Sequence, residues 1–306
     1  MIQRNWYRRP LKVAMTVAAL MAAVPTAIAQ TPQSQSQIMK ARMDDAVKAV
    51  GNMPRMKAMS DPAKKQLVEF VTGNTMFVMA HEMGHGLINE FNMPVLGREE
   101  DAADSFAIVT GLKMGTEMSE GVLIEAMKGW VLASKRDKKR GVPLAFYDEH
   151  GLDLQRAYNV VCFMVGSNAE KYMPLAAMTK FPKERQDECV YEWKNTAWSW
   201  DEMLKPHLRA ADQPKIEIKI TYEESEKYAM QARVLRHMGL LEALAAHAAD
   251  RYMWPNPISF NARSCGEANA RWKLRTLTLC YELAGYFVDL FLKYSNELPS
   301  KYRVSR

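Results

Sequence analysis

The chain has 306 residues, of which 48% are hydrophobic and 25% are charged, a composition that excludes a disordered or fibrous protein and suits a globular one with a substantial core. The formal net charge is +6, but the first 29 residues contain four basic and no acidic side chains. Beyond them 37 basic and 35 acidic residues remain, so the net charge is only +2 and gives no reason to expect a nucleic-acid partner.

The first 29 residues have the pattern of a secretory signal peptide. The basic segment MIQRNWYRRPLK precedes the apolar run VAMTVAALMAAV, and Ala27-Ile28-Ala29 forms a small-x-small cleavage site. The apolar run has twelve residues, whereas a membrane-spanning helix needs roughly 20. We therefore expect cleavage after Ala29, a periplasmic or secreted mature protein, and no stable membrane anchor.

A polar segment and a long apolar helix are predicted next. Residues 30–37 contain TPQSQSQ, whose low complexity predicts a disordered tether. After a Met-rich, helix-prone segment at 38–60, Ser60-Asp61-Pro62 predicts a helix start, with the serine as N-cap and the proline just inside. This helix, or a pair broken near Gly73-Asn74, runs to Phe91. Because it is apolar on nearly every side, we expect it at the centre of the protein.

The rest of the chain is predicted to be helical first and then to contribute strands. Helices are expected at about 98–114, 119–135 and 183–204, with another after the loop at 141–151. From residue 215 onward IEIKITY, PISFNAR and TLTLCY have strand character, the last two on either side of a Cys-Gly turn. A long helix over about 223–250 separates the first of these strands from the second, and a final helix begins near Glu282.

These elements predict an α+β protein that is mostly helical and has a small sheet. We expect a single domain over 38–306, with a helical part at 38–204 and a sheet-contributing part at 215–295. The strands of the second part must then fold back onto the apolar helix that ends near Phe91.

The apolar helix contains His81, Glu82 and His85 at the spacing H-E-x-x-H. Histidines four apart on a helix project from one face, so both can reach one zinc ion at about 2.0–2.1 Å. Glu82 points beside the metal, where it can hold a water molecule and take its proton. The alternative is a pair of hydrogen-bonded core histidines, but buried polar groups without a common partner cost several kcal/mol each. The pattern therefore favours a metal site.

A catalytic zinc site needs a third protein ligand, and the segment GREEDAADSFA at 97–107 supplies candidates. Glu100 and Asp104 lie four apart on one helical face. We assign Glu100 to the metal and Asp104 to the outer nitrogen of a ligand histidine, whose tautomer it would fix. Asp101 points about 100° away from Glu100 and is a weaker candidate. Glu99 can be explained as a charge that complements the helix macrodipole.

Three segments resemble a known family. AHEMGHGLINEFNMPVLGREEDAADSFA, DEHGLDLQRAYNVVCFMVGS, and CGEANARW with TLTLCYEL are similar to the bacterial "putative metallopeptidase" family of exported proteins. The H-E-x-x-H motif followed by Glu100 and Asp104 also resembles the zincins whose third ligand is a glutamate on the next helix, the gluzincin-type arrangement. The resemblance implies a zincin-like fold, with the H-E-x-x-H helix packed on a small sheet, and a zinc site, but it defines no substrate.

The remaining candidates are a loop histidine and four cysteines. His150, with Asp148 as a possible partner, is our candidate for stabilising the oxyanion in hydrolysis, and capping of the following helix is the alternative. Cys162, Cys189, Cys265 and Cys280 are expected to form disulfides after export. Of the three possible pairings, Cys162 with Cys189 and Cys265 with Cys280 close the shortest loops. A cysteine-ligated zinc site is disfavoured because no C-x-x-C spacing occurs.

The function predicted from these residues is that of an exported zinc metallopeptidase with one Zn²⁺ per chain and a peptide or protein as substrate. His81, His85 and Glu100 hold the zinc, while Glu82 acts as general base and His150 stabilises the oxyanion. One alternative is a zinc-binding envelope protein of the same fold without turnover. Another is a metal-free structural protein with a buried polar cluster. The sequence leaves the oligomeric state open.

Overall fold

The computed structural model describes residues 32–298, with side chains from residue 37 onward. Within these residues the chain forms ten α-helices and four β-strands. The helices are α1 Pro32–Gly51, α2 Asp61–Glu90, α3 Glu99–Met114, α4 Glu117–Lys139, α5 Asp153–Ser167, α6 Ala169–Met178, α7 Lys183–Leu204, α8 Ala229–Met238, α9 Leu240–Arg251 and α10 Tyr281–Tyr294. The strands are β1 Lys219–Tyr222, β2 Ser259–Arg263, β3 Ala270–Lys273 and β4 Thr276–Cys280. The predicted α+β class, mostly helical with a small sheet, is confirmed.

The central element is α2, which is buried along most of its length and packs against α1, α3, α4, α10 and the sheet. Ser60 caps its first turn by accepting a hydrogen bond from the backbone N–H of Ala63, as the sequence predicts. The helix does not break at Gly73-Asn74. Asn74 Nδ2 instead donates to the carbonyl of Phe70 within α2 and to that of Glu125 in α4, so this polar side chain ties two helices together.

The four strands form one mixed sheet in the order β1-β2-β4-β3. β1 and β4 flank β2 in parallel, whereas β3 pairs antiparallel with β4 at the edge of the sheet. Edge strand β3 faces α2, and the Trp272 ring lies directly against Gly86: a Cβ on that glycine would come within 2.8 Å of the indole. The absence of a side chain at Gly86 is therefore what lets the sheet approach the helix.

Several elements differ from the sequence-based expectation. The helix expected over about 223–250 is two helices, α8 and α9, because Gly239 adopts a left-handed φ of 67° between them. The strand IEIKITY is ordered as a strand only over Lys219–Tyr222. Helix α6 and strand β3 were not expected. α1 begins at Pro32, so it extends through most of the segment 30–37 for which a disordered tether was predicted.

Both predicted disulfides are present. Cys162–Cys189 joins α5 to α7, and Cys265–Cys280 joins the turn before β3 to the end of β4. Such bonds fit the oxidising compartment expected for an exported protein. No helix among the described residues is long and apolar enough to cross a membrane. The predicted signal peptide, 1–29, lies outside the described residues.

Candidate metal centre

Helix α2 places the two motif histidines one turn apart on one face. Their Nε2 atoms are 3.1 Å apart, and the rings meet nearly edge to face. The His81 side chain is only 5% exposed and that of His85 16%. The fourfold spacing in the sequence and the regular course of α2 are sufficient to explain this pair.

Helix α3 brings Glu100 to the same point. Its Oε2 lies 3.0 Å from His81 Nε2 and 3.4 Å from His85 Nε2. α2 and α3 approach each other very closely here, since a Cβ on Gly84 would lie 3.1 Å from the Cα of Ala103. Because Gly84 faces Ala103, the backbones of α2 and α3 lie close enough for the Glu100 carboxylate to reach the histidines of α2.

His150 also reaches this point, from the loop that precedes α5. Its Nε2 lies 2.9 Å from Glu100 Oε2. The nearest atoms of His81, Glu100 and His150 that could bind a metal lie within 4.8 Å of one another. The fold therefore brings together three histidines and one glutamate from a helix, a second helix and a loop that are distant in sequence.

Each of the three histidines has a carboxylate at its other ring nitrogen. The Nδ1 contacts are His81 with Asp104 at 2.8 Å, His85 with Glu99 at 2.7 Å, and His150 with Asp148 at 3.1 Å. A carboxylate can only accept, so in a neutral imidazole these contacts place the proton on Nδ1 and leave Nε2 with a lone pair. Outer carboxylates of this kind are characteristic of metal-binding histidines.

The donor set fits a metal ion. With the protons on Nδ1, the Nε2 atoms cannot donate, and no other described residue donates a hydrogen bond to the buried Glu100 Oε2. Lone pairs of three imidazoles and one carboxylate then converge without a positive charge between them. In a tetrahedral zinc site the ligand atoms are about 3.3 Å apart. The distances from Glu100 Oε2 to the three Nε2 atoms, and between the Nε2 atoms of His81 and His85, are close to this value, at 2.9–3.4 Å. Imidazole and carboxylate ligands together suit zinc.

Protons must take the place of the cation when no metal is bound. Burial opposes protonation of His85, but hydrogen bonds to Glu100 and Glu99 outweigh it and raise its pKa to about 9. The pKa of Glu100 is held far below its usual range because, against the effect of burial, it lies beside three histidines. A positive charge at the centre of the cluster is therefore favoured in both the metal-bound and the metal-free protein.

Asp104 is fixed by Arg156 as well as by His81. The guanidinium donates two hydrogen bonds to the carboxylate, at 2.7 and 2.6 Å, and its carbon lies 3.7 Å from the centre of the Trp130 ring. Although burial opposes ionisation, the contacts with His81 and Arg156 lower the pKa of Asp104 to about 2. Arg156 is therefore engaged in positioning Asp104.

Glu82 is buried beside the histidines and contacts the edge of the sheet. The backbone N–H of Trp272 in β3 donates to Glu82 Oε2 at 2.7 Å. Burial raises the pKa of this carboxyl group despite the nearby histidines and the hydrogen bond from Trp272. A carboxyl group with a raised pKa is better able to take up a proton near neutral pH.

Sequence reasoning missed three contributors to this site. It treated Glu99 as a helix-end charge, yet this residue holds His85, and it did not single out Trp272. It also did not assign Arg156 to Asp104. The helical position of Glu99, directly before Glu100, was the one available signal. The other two contacts join residues that are 52 and 190 positions apart, which no local pattern reveals.

Comparison with known families gives one match. A family model described as "putative metallopeptidase" matches residues 37–204, more than half of the chain. The matched range includes the three histidines, Glu82 and Glu100, and it ends before the strands of the sheet. Comparison with curated proteins and with solved structures gave no match.

Proposed function

Because the chain belongs to the "putative metallopeptidase" family, we propose that it is an exported zinc-dependent peptidase. The observation that carries the proposal is the convergence of His81 Nε2, His85 Nε2 and Glu100 Oε2 within 3.4 Å of one another. The acid Glu82 adjoins this cluster on the same helix. Two imidazoles, a carboxylate and an adjacent general base are the parts that hydrolysis of a peptide bond requires.

His81, His85 and Glu100 would hold one zinc ion per chain. When bound, the ion supplies a Lewis acid that polarises the scissile carbonyl and lowers the pKa of water. The protein contributes rigid placement of its ligands: two lie on a buried helix, and Asp104 and Glu99 orient their rings through Nδ1.

Glu82 would act as general base and then as proton shuttle. The backbone N–H of Trp272 donates a hydrogen bond to Oε2 and thereby orients the carboxylate. The other oxygen, Oε1, would then take the proton of the attacking water. The same proton then passes to the leaving nitrogen of the cleaved bond. The raised pKa of the buried carboxyl group supports this cycle, because a group that both takes and releases a proton works best when its pKa is near the ambient pH.

A cleft beside the cluster supports a peptide or protein substrate. It encloses about 450 Å³ between α3, α5 and α7, and its lining includes Asp101 and Gly151. These two residues are the chain neighbours of Glu100 and His150, and Arg156, which holds Asp104, also lines the cleft, so the cleft adjoins the cluster. A volume of this size accommodates side chains of a bound peptide.

Export is supported by the two disulfides, which form and persist in oxidising compartments. Together with the signal-peptide pattern of residues 1–29, they favour a periplasmic or secreted protein.

A zinc-binding envelope protein without turnover is the second candidate. It is favoured by one observation, the position of His150 Nε2 at 2.9 Å from Glu100 Oε2. A fourth protein ligand in contact with the metal would give the closed ligand set that is typical of structural zinc sites.

The test combines zinc content with peptide hydrolysis in the purified mature protein and three variants. We expect one zinc per wild-type chain, weakened binding in His85→Ala and Glu100→Ala, and retained zinc in Glu82→Gln. The Glu82→Gln variant should lose peptide hydrolysis by a factor of about 10²–10⁴, since the amide cannot take the proton.

Two outcomes would contradict the proposal. A wild-type protein that binds no zinc, even after incubation with the metal, would exclude the zinc-dependent peptidase. Zinc-loaded wild type without turnover on a broad peptide library would leave the binding protein as the better description.

A further inference from the structure

We propose that His150 is a fourth protein ligand of the metal, so that three histidines and Glu100 close the site in the resting protein. The inference rests on the proposed zinc site and adds to it one ligand, His150, and one resting form in which four protein ligands surround the metal. It assigns His150 a role different from that of an oxyanion donor: in the resting protein its Nε2 binds the metal directly.

His150 has the same arrangement of contacts as the two motif histidines. Its Nε2 approaches Glu100 Oε2 at 2.9 Å, against 3.0 Å for His81 and 3.4 Å for His85. Its Nδ1 contacts the Asp148 carboxylate, as the other two contact Asp104 and Glu99. The carboxylate holds a proton on Nδ1, so the neutral ring offers the lone pair of its Nε2 to a metal, as the rings of His81 and His85 do.

The ligand atoms of His150 lie close to those of two proposed ligands. The nearest ligand atoms of His81, Glu100 and His150 all lie within 4.8 Å of one another, so His150 belongs to a group that could hold one ion. Its ring is roughly parallel to that of His81, with centroids 6.3 Å apart. One ion can therefore be reached by both imidazoles and the carboxylate between them.

His150 differs from the other ligands in how it is held. His81 and His85 lie on α2, and their outer carboxylates lie on α3. His150 and Asp148 both lie in the irregular segment 140–152 between α4 and α5. Within it the backbone N–H of His150 also donates a hydrogen bond to the Asp148 carboxylate at 2.9 Å. This ligand and its carboxylate can leave the metal together without disturbing α2 or α3.

Displacement of the segment 140–152 from the metal also loses little hydrophobic stabilisation. Leu144, Phe146 and Tyr147 are 61%, 79% and 93% exposed, so these large side chains are hardly buried in the closed position. The His150 side chain itself is 39% exposed. Because hydrophobic stabilisation scales with the apolar area that is buried, displacement of this segment sacrifices little of it.

A site with four protein ligands has no open position for a substrate, whereas catalytic zinc sites keep one. Release of His150 provides that position. The resting protein is therefore a latent form, and a peptide that binds beside the loop must displace His150 before its carbonyl can reach the metal.

The test counts imidazole ligands by X-ray absorption fine structure on the zinc-loaded mature protein. Wild type should show three imidazoles per zinc and His150→Ala two. Competition with a chelator should show weaker zinc binding in His150→Ala, and about tenfold weaker binding in Asp148→Asn, which loses only the outer carboxylate. His237→Ala is the matched control, because His237 is a half-exposed histidine paired with Asp45 outside the site.

The imidazole count and the zinc affinity together decide the inference. Two imidazoles in wild type, with unchanged zinc affinity in His150→Ala, would overturn the inference, and a loss of turnover in that variant would then identify an oxyanion donor. Three imidazoles in a wild type without peptidase activity would refute the proposed function and leave this ligand assignment standing.

Discussion

The outer carboxylates decide how the histidines present their lone pairs. Glu99 is the informative case, because its half-exposed position at the start of α3 suggests a macrodipole charge, while its Oε1 lies 2.7 Å from His85 Nδ1. The two roles make different predictions. A macrodipole charge affects only stability, whereas an outer contact affects the metal.

We expect Glu99→Ala to weaken zinc binding by about 10–100-fold, because the His85 ring loses the acceptor that fixes its tautomer. Glu117→Ala is the matched control, since Glu117 is an exposed glutamate in the first turn of α4, away from the metal centre. Chelator competition measures both variants. Equal zinc affinity in the two would show that Glu99 is only a helix-end charge.

At the scale of elements, the site depends on how closely β3 and α2 approach each other. The Trp272 ring covers Gly86, and the backbone N–H of Trp272 donates a hydrogen bond to Glu82 Oε2. A change that separates the two elements should therefore affect both the stability of the protein and the position of the Glu82 carboxylate.

Gly86→Ala should lower the free energy of unfolding by about 1–3 kcal/mol, because the added methyl group would lie 2.8 Å from the indole. Gly121→Ala is the control: it lies inside α4 with no atom within 4 Å of the added group, and we expect it to stabilise by about 0.5–1 kcal/mol. Urea unfolding measures both. A stabilising Gly86→Ala would show that β3 does not pack on α2 as described.

Helix α9 contributes a pH dependence that is separate from the metal centre. His247 Nε2 is buried without a hydrogen-bond partner among the described residues, and burial lowers the pKa of this side chain below its ordinary value of 6.5. The unfolded chain then binds the proton more readily than the folded one. Stability from this group is therefore complete above about pH 6.5 and is lost as the pH falls toward the lower folded-state pKa.

We expect His247→Leu to reduce the loss of stability between neutral pH and pH values below 6.5, because the leucine has no proton to bind. Urea unfolding of wild type and variant, at neutral pH and at one pH below 6.5, measures the loss of stability in each protein. The titrating groups of the metal centre contribute equally to both proteins, so their effect is absent from the comparison. Parallel stability curves for the two proteins would contradict the assignment.

At the scale of the whole molecule, the two disulfides constrain the helical and sheet-contributing parts separately. One spans 27 positions between α5 and α7, and the other spans 15 positions around β3. Neither crosses from one part to the other, so packing alone joins them: α2 packs on α10 and β3, α4 packs on α10, and α1 packs on α8.

Replacement of either cysteine pair by alanines should lower the free energy of unfolding by about 2–4 kcal/mol. The loop-entropy relation predicts a loss about 0.5 kcal/mol larger for Cys162–Cys189, which closes the longer loop. Urea unfolding of the two double variants and of oxidised wild type, which serves as the reference, measures this. A larger loss from the shorter loop would show that native packing, and not loop entropy, sets the order.

The sequence by itself determined the features that depend on local spacing. The fourfold spacing of His81 and His85 sets their common face, helix caps mark where α2 begins, and short loops favour the observed cysteine pairing. The helical part and the existence of a small sheet follow from the same kind of pattern. Each of these inferences needs only a repeat of 3.6 or 2 residues, or the length of one loop.

Only the tertiary structure decided which distant groups meet at the cluster. The N–H of Trp272 reaches Glu82 across 190 positions, Arg156 reaches Asp104 across 52, and His150 shares Glu100 with the motif histidines. Strand β3 was missed because ARWK, which alternates apolar and polar residues, is only four residues long and is held as a strand by its pairing with β4. Contacts of this kind depend on how helices and strands pack in three dimensions, and packing distance is not encoded in any local period of the chain.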